Sequence, residues 1–208
     1  MPIPTIAAAI DARVLSSMKT ERVRASEQIT SATTTRVADD AREIIGAVRD
    51  ALAAATVCAY AQGMVLLRAA SAEHHWQVDP REIARIWTGG CIIRARLLDP
   101  IMQAFERAPD LPNLLLDAGI RSRVAEAERA WRRTVQTAVA HGIPVPALAA
   151  SLSYFDSYRT AVLPQNITQA QRDYFGAHTY QRTDRPDAGF VHSDWPALVT
   201  DAATRTTP

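Results

Sequence analysis

The chain has a single lysine, Lys19, against 22 arginines, so chemistry that needs a lysine base or Schiff base has one candidate. Glycine is scarce, with 8 in 208 residues, and only Gly89 and Gly90 are adjacent. No G-x-G-x-x-G or Walker-type loop is present to cradle a phosphate with backbone N–H groups, so the chain carries no nucleotide-binding loop of its own. Two cysteines, Cys58 and Cys91, cannot build a disulfide framework or a multi-cysteine zinc site, and their apolar neighbours predict small, inert core residues. No run reaches the roughly 20 apolar residues that span a bilayer. The start, Met1-Pro2-Ile3-Pro4, has no basic segment ahead of an apolar one. The expectation is a cytoplasmic protein with no membrane partner. The formal charge, 23 − 22 = +1, supplies no broad attraction toward nucleic acid.

What the chain has in abundance is helical periodicity. Apolar residues recur at three- and four-residue steps, while alternating runs of Val, Ile and Thr are almost absent, which predicts an all-α, multi-helix fold. Ile6, Ile10, Val14 and Met18 form an i, i+4 stripe in a first amphipathic helix from Thr5 to about Ile29. The hydroxyl-rich stretch Ser31 to Thr35 reads as a loop, with Asp39 or Asp40 placed to cap the next helix. From Asp40 to about His75 no proline occurs, so one helix of roughly 35 residues is expected, about 50 Å long. Its centre, from Ala51 to Ala61, is apolar on nearly all sides and predicts the spine of the core. Further helices are expected over 80–88, 91–107, 117–140, 146–162 and 167–178, separated by glycine and proline breaks. The organisation expected is a helical domain over 1–180 and an extended C-terminal tail over 181–208. That tail still carries Phe190, Val191 and Trp195, which need another surface to bury them.

The densest polar and aromatic cluster runs from Gln169 to His178. On a continuous helix Gln171, Tyr174 and His178 share a face. Arg172 offers a fixed fork of donors suited to phosphate or carboxylate, and His178 can hydrogen-bond a ligand hydroxyl. The plainer alternative is that Arg172 pairs with Asp173 or another surface carboxylate and that His178 caps a helix end. Arg13 lies beside Asp11 and is either paired with it or anion-binding. His74 and His75 point about 100° apart on a helix, which suits a helix C-terminus better than a metal ion, and no metal ligands are assigned. Ser151, Ser153, Asp156 and His141 have the residue types of a hydrolytic triad, but no G-x-S-x-G elbow accompanies them.

Several stretches together resemble the C-terminal domain of the 6-phosphogluconate dehydrogenase family. They are Ala12-Arg13-Val14-Leu15-Ser16-Ser17-Met18-Lys19, Tyr60-Ala61-Gln62-Gly63 through Leu67-Arg68, and Gly89-Gly90-Cys91-Ile92-Ile93-Arg94. Asn113-Leu114-Leu115-Leu116, Leu163-Pro164-Gln165-Asn166 through Tyr180, and His192-Ser193-Asp194-Trp195 complete the resemblance, which covers essentially the whole chain. Thr88 and Gln165 depart from the family pattern. The resemblance implies a substrate-binding and dimerisation domain of an NADP-dependent enzyme that oxidatively decarboxylates 6-phosphogluconate to ribulose 5-phosphate and carbon dioxide. It implies that Arg13 holds the substrate phosphate within its own subunit. Arg172 and His178 would reach across a homodimer into the neighbour's site, with the tail exchanged between subunits. In the family the catalytic lysine and glutamate, a second phosphate-binding lysine and the glycine-rich cofactor loop precede the segment matched here. Lys19 matches a different family position, so no catalytic and no cofactor-binding residue is assigned to this chain. NADP would then be held by another part of a longer protein or by a separate cofactor-binding chain. The competing expectation is a non-catalytic helical dimerisation or interaction protein derived from that domain. An arginine-rich DNA binder is disfavoured by the near-neutral charge.

Overall fold

The computed structural model describes residues 1–30 and 40–198. The hydroxyl-rich stretch at 31–35, Asp39 and the last ten residues lie outside them. The chain divides into two compact units, 1–158 and 159 onward.

The first unit contains seven α-helices among the described residues: α1 (Pro4–Ser17), α2 (Lys19–Gln28), α3 (Ala41–His74), α4 (Pro80–Ile86), α5 (Leu98–Arg107), α6 (Ala118–Ala140) and α7 (Pro146–Tyr158). The two long helices are α3, with 34 residues, and α6, with 23. Aspartates start them: Asp40 accepts from the N–H of Arg42 at 2.9 Å, and Asp117 accepts from Ile120 at 3.0 Å. Each satisfies an amide that the helix itself cannot pair. Asp117 also receives Arg107 at 2.6 Å, which ties the end of α5 to the start of α6. His74 ends α3 and His75 caps it in a left-handed conformation.

Helix α3 is the spine. Its small residues Ala51, Ala54, Ala55, Cys58 and Ala61 are buried, so α6 and α7 pack closely against it. Trp131 of α6 is completely buried, 5.9 Å from the ring of Phe155, and its indole N–H donates to the carbonyl of Leu148. Leu98, Ile101, Ala104 and Phe105 of α5 close the same core. Burying each of Leu98, Ile101 and Phe105 contributes about 1.5–3 kcal/mol. Among the described residues α3 is the one helix long and apolar enough to cross a bilayer by length and composition; here one face of it is covered by protein. Burial pushes the Cys58 thiol up to about 12, the state of a small apolar side chain.

Three expectations are corrected. The first helix is broken at Met18, whose ψ is 48°. Ser16 and Ser17 donate their hydroxyls to the carbonyls of Arg13 and Val14, and Arg22 donates to the carbonyl of Ser16; this competition for carbonyls ends the helix. Most of the apolar stripe on α1 faces outward: Ile10 and Val14 are each 57% exposed, while Ile6 is half-buried and Thr5 buried. The buried or half-buried positions of α1 are Pro4, Thr5, Ile6, Ala8 and Ala12, and the helix packs chiefly on α7. Residues 91–97 are not helical. Gly90 has φ +66°, Ile92 is fully exposed and Cys91 only half-buried, so Ile92 does not shield the thiol. Tyr60 donates its hydroxyl to the carbonyl of Ile93 and pins this turn.

The second unit holds α8 (Asn166–Gly176) and a two-stranded antiparallel ladder, β1 (Tyr180–Gln181) with β2 (Phe190–Val191). Tyr180 faces Val191 and Gln181 faces Phe190. The segment expected as a tail therefore turns back on itself, with a short 3-10 turn at Pro186–Ala188 and Gly189 at φ +68°.

Candidate functional site

The site is built at the C-terminal end of α8. The helix stops at Gly176 because Ala177 adopts a left-handed conformation, φ 49°, with its N–H donating to the carbonyl of Asp173 at 2.9 Å. Thr179 is also left-handed, at φ 57°. Neither residue is glycine, and each such conformation costs on the order of 1–2 kcal/mol. A helical placement of His178 beside Gln171 and Tyr174 is thereby overturned. His178 lies two residues past the helix, and its ring folds back over Gly176.

Arg172 and His178 are brought to one end of one element, and both are exposed. Arg172 does not pair with Asp173. Its Nη1 donates to Oε1 of Gln169 at 3.2 Å, while Nε2 of Gln169 donates to the carbonyl of Thr179 at 2.5 Å. One carboxamide thus links the guanidinium to the chain beside His178. Most of the guanidinium edge faces outward, a fork of donors matched to the oxygens of a phosphate or carboxylate.

Asp173 faces the opposite way and is fully buried. Its Oδ1 accepts from the N–H of Thr179 at 2.8 Å and from Nδ1 of His192 at 3.0 Å. Its Oδ2 accepts from the N–H of Ser193 at 3.1 Å and from the indole of Trp195 at 2.9 Å. Burial alone would raise its pKa, but these donors outweigh it and hold the carboxyl down at about 2. Trp195 in turn meets Tyr174 edge-on at 6.3 Å. A cleft of about 540 Å³ beside this cluster is lined by Asn166, Gln169, Tyr180, Arg182, Asp184 and Trp195. Asp184 neutralises Arg182 there through contacts of 2.8 and 2.6 Å.

Arg13 belongs to the first unit, exposed on α1. Among the described residues it forms no ion pair with Asp11, so its guanidinium is available to an anion. The residue types of a triad are occupied elsewhere: Ser151 is buried and donates to the carbonyl of Ala147, and Asp156 receives both terminal nitrogens of Arg132 at 2.9 and 2.5 Å. Gln169 and Asp173 escaped the sequence reading as site residues. Gln169 stood at the start of the polar and aromatic cluster with no role given to it, and Asp173 was read as a surface partner for Arg172 rather than as a buried acceptor.

Comparison with known proteins gives one consistent result. The family described as 6-phosphogluconate dehydrogenase, C-terminal domain, matches residues 1–195. A decarboxylating 6-phosphogluconate dehydrogenase of Synechocystis sp. is 54% identical over 195 residues, 94% of this chain and 40% of that protein. The NADP(+)-dependent, decarboxylating enzyme of Bacillus subtilis is 48% identical, over 94% of this chain and 41% of its own length. A Plasmodium falciparum 6-phosphogluconate dehydrogenase has been solved in its apo form, with its cofactor NADP+ and with its substrate 6-phosphogluconate. It superposes with a TM-score of 0.84 at 39% identity, over 93% of this chain and 41% of that one. The chain spans about two fifths of the length of these relatives.

Proposed function

The chain belongs to the 6-phosphogluconate dehydrogenase C-terminal domain family, and from that membership we propose that it is the substrate-binding and dimer-forming domain of an NADP-dependent decarboxylating 6-phosphogluconate dehydrogenase. The observation that carries this reading is the joint presentation of Arg172 and His178 at the end of α8, linked through Gln169. The Arg172 fork binds substrate phosphate by charge-assisted hydrogen bonds, and His178 hydrogen-bonds a substrate hydroxyl. Both act in the site of a partner subunit. Arg13 supplies positive charge to the phosphate bound in its own subunit. The organisation proposed remains a helical domain over 1–180 with a tail over 181–208 that packs on the partner. Exposed Phe175, Phe190 and Ile167 in the second unit, and exposed Ile45, Val48 and Leu52 along α3, support a subunit that is covered by a second copy. The cytoplasm is the compartment this reading implies.

The adjacent glycines do not form a pyrophosphate-binding loop for NADP. Gly89 and Gly90 lie in the turn after α4, and the next helix starts only at Leu98. No helix N-terminus follows them to meet a pyrophosphate. The cofactor and the proton-transfer residues belong to a domain on a longer protein or to a separate chain.

Hybrid dimers test the reading. The chain is mixed with a full-length relative that has lost the arginine matching Arg172, and hybrid formation is verified by native mass. Turnover restored by the wild-type chain and not by Arg172→Ala supports the proposal. A verified hybrid without turnover overturns it and leaves a non-catalytic dimerisation scaffold.

A further inference from the structure

We infer that Asp173 is a positioning residue for substrate binding, clamping the turn that carries His178 to the 192–195 segment of the tail. The inference rests on the reading of Arg172 and His178 given above.

Asp173 touches nothing outside the protein: it is fully buried between the exposed Arg172 and Tyr174. It holds His178 from both sides. Its backbone carbonyl takes the N–H of Ala177 at 2.9 Å and its carboxylate takes the N–H of Thr179 at 2.8 Å. The amides immediately before and after His178 are thus fixed to one residue. Ala177 and Thr179 both sit at positive φ, a strained pair of conformations that persists only where the surroundings over-determine it. Thr179 is held through its carbonyl as well, by Gln169, which also receives Arg172.

The other three donors come from the tail. Nδ1 of His192, the N–H of Ser193 and the indole of Trp195 all converge on the same carboxylate. A buried carboxylate needs this many donors, and hydrogen bonds to an ionised acceptor are among the strongest available. Seating of residues 192–195 and orientation of His178 are therefore one event, joined through two oxygens of one side chain. Tyr180 adds a parallel tie, its hydroxyl 2.6 Å from Oγ of Ser193.

The test uses the full chain labelled at histidine and tryptophan, followed by NMR and by calorimetric titration with 6-phosphogluconate. Asp173→Asn keeps the shape of the side chain but replaces one acceptor oxygen with an NH2 group. Expected are an imidazole spectrum of His178 that collapses toward that of free histidine and an indole N–H of Trp195 that shifts to its solvent-exposed position. Affinity should fall roughly tenfold or more, with far-ultraviolet circular dichroism unchanged because the first unit holds most of the helix. Trp195→Phe removes one donor and spares the other three, and should shift His178 in the same direction by less. It decides the matter if Asp173→Asn does not fold. His178 resonances and affinity that match the wild type in a folded Asp173→Asn chain, or His178 resonances unmoved in Trp195→Phe, overturn the inference. A wild-type chain that does not bind 6-phosphogluconate, while Asp173→Asn still moves His178, fails the functional reading and leaves the positional role standing.

Discussion

Gly176 and His178 compete for one volume: a Cβ built on Gly176 would stand 3.0 Å from Nε2 of His178. Glycine occupies the last position of α8, where the imidazole of the next-but-one residue leaves little room for a Cβ. Gly176→Ala should favour the helix by about 0.5–1 kcal/mol while making the imidazole of His178 shift to relieve a 3.0 Å contact. The expected result is unchanged or raised thermal stability with 6-phosphogluconate affinity lowered several-fold, on the order of 1 kcal/mol. Calorimetry and a melting curve on the same sample check it. Equal affinity would show that the ring position does not matter.

Thr5 and Gln62 form a reciprocal buried pair. Oε1 of Gln62 accepts from the N–H of Thr5 at 3.0 Å, and Nε2 of Gln62 donates to the Thr5 hydroxyl at 2.7 Å. An α1 amide with no partner inside its own helix is thus capped by α3. Gln62→Leu should destabilise the first unit by about 2–4 kcal/mol, since two buried polar groups lose their partner. Adding Thr5→Val should recover the hydroxyl's share and leave the amide's. Urea unfolding of the two variants measures both.

Asp173 sets an acid limit on the second unit. Its folded pKa, about 2, lies below the ordinary value of roughly 3.9. The stabilisation is therefore complete above pH 4 and is lost as pH falls from about 4 through 2. The indole N–H of Trp195 should keep its buried chemical shift at pH 4 and move to the exposed value near pH 2. A shift completed above pH 4 would contradict the network.

A chain ended after Tyr180 loses β2 and three of the four donors to Asp173. In the tail-exchange reading it should also lose association, leaving monomer by light scattering at concentrations where the full chain is dimeric. A truncated chain that remains fully dimeric would count against exchange.

The helical frame was legible because its signals are local. The proline-free stretch beginning at Asp40 predicted α3 nearly to the residue, and Asp117, Pro80 and Pro146 mark helix starts. Which face of a helix is buried was not legible. The outward Ile10 and Val14 and the inward Thr5 of α1 are decided by how closely α7 and α3 approach, and periodicity carries no information on that distance. The break before Leu98 hinges on Gly90 at positive φ and on Tyr60, 33 residues away from its acceptor. At the site, Arg172 and His178 were visible as residue types and through the family resemblance. Their placement was not, because Ala177 and Thr179 adopt left-handed conformations that their identities do not announce. Asp173 could have been suspected only by matching one carboxylate with donors about twenty residues further on.

The most direct measurement is calorimetric titration of 6-phosphogluconate into the wild-type chain and into Arg172→Ala. Saturable binding by the wild type, abolished by the substitution, is the predicted result. Heats of dilution alone with the wild type at millimolar ligand, or equal binding by both proteins, would contradict a substrate-binding role for the end of α8.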